Sequence, residues 1–264
     1  MLVKSDAFRP TKLEGNPEHP LTRGKLDAFT QASLLDLYDP DRSQHVRFRG
    51  ENSEWPRFQQ EFQAAIGKLP SGQGLYFLSE ATTSPTFAAQ WKQVQAKYPQ
   101  AKLVQYEPAV GDAHRAISKA AFGEYYDTQY RLQDADVILS LDADFLGGIH
   151  FPGFLPMSAA YAERHRFEPT KPMNRMYVAE TMPSVTGFKA EHRLALAPSE
   201  LDAFAAALSG GNAGAISANP DVAKFATAVL NDLKKANGRC AVIAGPQSTP
   251  GCQAAALQLS LIHI

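Results

Sequence analysis

Short apolar runs alternate with amphipathic stretches along most of this chain. Five of the runs read as strands: Leu75–Leu78, Leu103–Tyr106, Val137–Leu141, Met176–Ala179 and Ala241–Ala244. A short continuous apolar run suits a strand covered on both faces in a parallel sheet. Between them, Phe87, Trp91, Val94 and Tyr98 recur at helical spacing, as do Val222, Phe225, Val229 and Leu233. Those stripes predict helices that turn one face to a core. Ser84-Pro85 and Asn219-Pro220 each place a capping side chain before a proline that suits a first helical turn. Ser199 with Asp202 predicts a weaker start for a third helix. Strands alternating with helices predict an α/β fold with a doubly wound, mostly parallel sheet.

Two segments depart from this rhythm. The first fifty residues are rich in turn formers, Gly15-Asn16-Pro17, His19-Pro20 and Asp39-Pro40-Asp41, around one helical candidate from Leu26 to Tyr38. Met1 to Lys4 reads as a short strand. From Gly147 to Pro172, glycines and prolines predict an irregular excursion with one short helix near Ser158–His165. Its Phe151, Phe154 and Leu155 would seat it either on the domain or on a partner surface.

Composition narrows the class. The chain has 264 residues, 44% hydrophobic and 20% charged, as in ordinary globular proteins. Twenty-six basic and 27 acidic residues are interspersed, and no basic stripe points to nucleic acid. No apolar run reaches bilayer length, so work at a membrane would require other subunits to hold the chain there. Cys240 and Cys252 lack the spacing of a zinc or cluster site and read as buried thiols, with a disulfide between them left open.

Two stretches carry candidate chemistry. Val137 to Asp144 is a strand that delivers Asp142 and Asp144 at its C-terminal end. Such a pair can hold Mn²⁺ or Mg²⁺ against a diphosphate, as in nucleotide-sugar transferases. The plainer reading is that a carboxylate caps the next turn, and it is the favoured one. Val242 to Gly251 is a strand, loop and helix start, with Gly245, Pro246 and Thr249 in the loop. Free N–H groups there would favour phosphate, but the P-loop pattern is missing and a connection capped by Thr249 is the simpler account. His19, His45, His114, His150, His165 and His192 are scattered without a helical pair, and no Gly-x-Ser-x-Gly elbow occurs.

The opening segment carries a resemblance. Arg9-Pro-Thr-Lys-Leu-Glu14-Gly15-Asn16-Pro17-Glu18-His19-Pro20, then Arg23 to Ala32 and Leu37-Tyr38-Asp39-Pro40-Asp41-Arg42, resembles the segment that follows the first cluster cysteines of molybdopterin oxidoreductases. Ala135-Asp136-Val137 and Ala241 to Gly245 resemble two later strands of that family. The resemblance implies a sheet of the molybdopterin-oxidoreductase type, here truncated. Asp27 stands where the family places the last cysteine ligand of a [4Fe–4S] cluster, and Phe29 where it places Lys or Arg. Gly111-Asp112-Ala113-His114 offers no cysteine or serine for molybdenum, although Asp112 is a conceivable ligand. Asp142 replaces a glycine near the nucleotide. A hard carboxylate disfavours an ordinary cluster, and added negative charge disfavours a diphosphate.

That combination, with Met173 to Glu180, Thr186-Gly187 and His192-Arg193-Leu194, resembles the large iron–sulfur subunit of alternative complex III, a quinol-oxidising membrane complex. The resemblance implies a catalytically silent scaffold with no cofactor of its own. Iron–sulfur clusters are expected in a C-terminal half beyond this chain. Other subunits of a respiratory complex are the implied partners, at the periplasmic face of the bacterial inner membrane. Residues 1–50 would be the remnant of a cluster-domain segment and 51–258 the α/β domain. Residues 259–264 read as sequencing adapter, because one back-translation of them, CTG TCT CTT ATA CAC ATC, matches a transposon end used in library preparation. The rival functions are a molybdopterin oxidoreductase with unusual ligands and a transferase using Asp142 and Asp144.

Overall fold

The computed structural model describes the chain except residues 21, 83, 109–112, 149–150, 212–218 and 263–264, and only the backbone of 261 and 262. It divides into two units, Met1–Ala32 with Val110–Ile264, and Ser33–Ala109.

The first unit opens with an antiparallel hairpin, β1 (Leu2–Asp6) and β2 (Arg9–Glu14), followed by the short helix α1 (Ala28–Ala32). The helix expected over Leu26–Tyr38 is therefore shorter. Asp27 caps its start by accepting from the Thr30 N–H at 2.8 Å. A tighter 3-10 turn takes over at Ser33–Leu37, and Pro40 bars helical geometry at Asp39.

The second unit contains β3 (Val46–Phe48), β4 (Glu51–Ser53), α2 (Trp55–Gly67), β5 (Tyr76–Ser79), α3 (Pro85–Lys97) and β6 (Lys102–Gln105). β3 and β4 pair antiparallel, whereas β5 and β6 pair parallel around the α3 crossover. The Ser84 hydroxyl accepts from the Phe87 N–H at 3.2 Å and starts α3 as its sequence predicts. Trp91 of α3 meets Phe77 of β5 edge-on, with ring centroids 5.4 Å apart.

The rest of the first unit is α4 (Ala113–Phe122), β7 (Val137–Leu141), α5 (Phe154–Arg164), β8 (Arg175–Glu180), α6 (Val185–Lys189) and β9 (His192–Ala195). It continues with α7 (Pro198–Ser209), α8 (Pro220–Lys235), β10 (Cys240–Ala244) and α9 (Pro250–Ile262). Four strands form one parallel sheet in the order β10-β7-β8-β9. The five expected strands thus divide between two sheets. β9 was not among them because its His-Arg-Leu-Ala sequence has no apolar run. It lies at the sheet edge, where two flanking strands are not needed.

Alternation along each strand fills two cores. Leu139, Leu141, Tyr177, Ala179, Val242 and Ala244 face one side, where they meet Phe204 and Leu208 of α7, Val229 and Leu233 of α8, and Ala256 of α9. Ile138, Met176, Val178, Ala241 and Ile243 face the other, with Phe145, Phe151, Met157 and Tyr161. Helices therefore cover both faces, which is what continuously apolar strands require. Phe151 is buried in the second core and Phe154 packs against it, so the 147–172 excursion is seated on its own domain.

Asn219 accepts from the Asp221 N–H at 3.0 Å, as expected for α8. α7 begins two residues earlier than Ser199 predicts, with Pro198 in its first turn and the Glu200 carboxylate accepting from the Ala197 N–H at 2.9 Å. α9 runs through Gln258 to Ile262, and Leu259 is buried in the first core. Cys240 is half-buried, Cys252 is buried, and no disulfide joins them. Among the described residues, no helix is long and apolar enough to cross a membrane.

Candidate functional site

The chain order places one topological switch in the four-stranded sheet. β8 lies on one side of β7 and β10 on the other. In open α/β sheets, ligands enter beyond the C-terminal ends of the strands at such a point. The loop after β7 carries Asp142 and Asp144, and the loop after β10 carries Gly245 to Thr249. Both stretches singled out in the sequence therefore meet here.

The two carboxylates bond different partners. Asp142 leaves β7 with φ +53°, a left-handed conformation that aspartate tolerates better than most residues. Its Oδ1 accepts from the Thr181 N–H at 2.9 Å, and the Thr181 hydroxyl lies 3.1–3.2 Å from both carboxylate oxygens. Asp144 serves a different partner. Its Oδ1 accepts from the Thr186 hydroxyl at 2.7 Å, the Thr186 N–H at 3.0 Å and the Gly147 N–H at 3.3 Å. The Thr186 oxygen in turn accepts from the Leu146 N–H at 3.0 Å. Each carboxylate thus ties the β7 loop to the chain that follows β8, the structural role favoured on sequence grounds.

The far side of the switch is closely filled. Gly245 donates its N–H to the Leu141 carbonyl at 2.9 Å. A Cβ at Gly245 would stand 2.1 Å from the Asp142 carbonyl oxygen, so only glycine fits. The Gln247 side-chain amide donates to that same oxygen at 2.5 Å. At the start of α9, the Thr249 hydroxyl accepts from the Cys252 N–H at 3.2 Å, which is the expected cap. It also donates to Asp202 Oδ1 at 2.6 Å. A carboxylate already faces the positive end of this helix, the place a phosphate would need.

Sequence reasoning missed a third acidic group at this end of the sheet. Glu180 closes β8 and is 2% exposed. It accepts from the Ser184 hydroxyl at 2.5 Å, and the Arg193 guanidinium from β9 pairs with it at close range. A Cβ at Gly187 would stand 2.0 Å from its Oε1. The available signal was a charged residue ending an apolar strand, with an arginine thirteen positions on. Thr181, Thr186 and Gln247 carried no such signal, because their roles depend on contacts distant in sequence.

The positions tied to the family resemblance lie elsewhere. Asp27 caps α1, receiving the Thr30 hydroxyl at 2.5 Å as well as its N–H. The Thr30 hydroxyl, then its N–H, hold the Asp27 carboxyl below the usual range. Phe29 is mostly exposed. Gly111, Asp112 and His150 lie outside the described residues. His114 opens α4 and sits 3.7 Å from Asp127. A carboxylate engaged as a helix cap does not fit as a cluster ligand, and neither cysteine lies in this segment. Among the described residues, no three His, Cys, Asp or Glu side chains gather as a metal site.

A shallow cavity of about 620 Å³ separates β2 and the following loop from α5; Leu13, Gly15, Leu26 and Leu155 are in its lining. Three of its polar side chains are engaged with the protein itself. Lys12 pairs with Glu14 at 2.6 Å, and the Ser158 hydroxyl donates to the Phe145 and Leu146 carbonyls. Nothing in it combines a nucleophile with a base. No family model and no curated protein matches this chain.

Proposed function

We propose that this chain is a catalytically silent α/β scaffold, the portion of an iron–sulfur subunit that organises a quinol-oxidising respiratory complex. Its sheet would be of the molybdopterin-oxidoreductase type, and its partners would be the other subunits of that complex at the periplasmic face of a membrane. The observation that carries the silent part of this reading is the engagement of Asp142 and Asp144. Both oxygens of Asp142 meet Thr181, one oxygen of Asp144 takes Thr186 and Gly147, and Gln247 and Gly245 close the switch point beside them. A site that must admit a nucleotide and a metal needs open acceptors and room. The electron-transfer part rests on the sequence resemblance and on Asp27 serving as a cap.

The test is to purify the native full-length gene product with whatever accompanies it, and to quantify iron, molybdenum and pterin. Iron at cluster stoichiometry, membrane subunits in the same particle and negligible molybdenum are expected. Stoichiometric molybdenum and pterin would instead establish the oxidoreductase rival. A particle without iron and without partner subunits would remove the electron-transfer assignment.

A further inference from the structure

We draw no further inference here: the strongest candidate, the exposed aromatic face that Trp55, Phe58 and Phe62 make along α2, carries nothing because nothing in the structure shows what covers it.

Discussion

Thr186 donates both its hydroxyl and its backbone N–H to one oxygen of Asp144, at 2.7 and 3.0 Å, across 42 residues of sequence. Thr186 is fully buried, and its oxygen also receives the Leu146 N–H. Asp144 is therefore the acceptor on which the loop after β7 and the start of α6 both depend.

Truncating Asp144 to alanine leaves those donors without their partner. Leaving buried donors unsatisfied costs roughly 1–3 kcal/mol per group, so Asp144→Ala should destabilise the protein by about 3 kcal/mol. Asp144→Asn keeps one acceptor oxygen and should cost about 1 kcal/mol. Urea unfolding midpoints would measure both. Mn²⁺ and a nucleoside diphosphate should leave the wild-type midpoint unchanged. A ligand-dependent rise that Asp144→Asn abolishes would bring back the transferase reading.

Gly245 offers a test of the filled switch point. Its missing Cβ would lie 2.1 Å from the Asp142 carbonyl oxygen, a backbone atom that cannot swing aside. Gly245→Ala should therefore cost about 1–3 kcal/mol, the range for a forced backbone shift. Gly251→Ala makes a suitable control. A Cβ there meets only the Thr249 hydroxyl at an ordinary 3.6 Å, and the position lies in the first turn of α9. Equal effects from the two substitutions would show that the crevice has room to yield.

The sheet was legible because its strands are short apolar runs bounded by turn residues, too short for helices. Val137–Leu141 and Cys240–Ala244 alternate between two cores, so both faces are mostly apolar. Ser84 and Asn219 were legible as caps because each acts on a neighbour two or three residues away. β9 was not, since His192 and Arg193 belong to an edge that tolerates polar residues. The division of strands between two sheets was also hidden, because β5 and β6 carry the same local pattern as β7. At the site, Asp142 and Asp144 were visible by type and spacing. Their partners, Thr181 and Thr186, lie about forty residues away and have no distinguishing local sequence.

Acid should weaken the other end of the sheet through Asp136. The Arg239 guanidinium donates to it at 2.6 and 2.9 Å, and Arg164 adds a second close contact. These arginines hold its carboxyl below the ordinary carboxylate range. The folded chain therefore binds this proton less readily than the unfolded chain. The stabilisation is complete above the unfolded carboxylate pKa of about 3.9 and disappears as pH falls through the lower folded value. Asp136→Asn should be less stable than wild type at pH 7, and the gap should narrow towards pH 3. A gap that stays constant with pH would assign the loss to packing.

Cys252 should resist thiol reagents in the folded protein. Burial pushes its thiol up to about 11. At pH 8 almost none of it is thiolate, the form that reacts. Burial also raises the Cys240 thiol. Slow labelling of the native chain, with two equivalents released on unfolding in denaturant, is the expected result. Rapid labelling of a Cys240→Ser variant would mean that α9 opens readily from the sheet.

The last test concerns Glu180, whose charge is buried at the end of β8 beside the only neighbouring cation that pairs with it among the described residues, Arg193. Removing one partner of a buried pair leaves an uncompensated charge and typically costs about 3–5 kcal/mol. Arg193 is one-third exposed, so water can partly replace it, and Arg193→Met should fall near about 3 kcal/mol. Replacing both residues, as Glu180→Met with Arg193→Met, removes the charge together with its partner and should recover much of that loss. The Ser184 hydroxyl and N–H, at 2.5 and 3.4 Å from the carboxylate, would then lose their acceptor, so recovery should be incomplete. A double-mutant cycle read from unfolding midpoints separates these contributions. If the double variant were no more stable than Arg193→Met alone, Glu180 would be held by its hydroxyl and backbone donors rather than by the arginine.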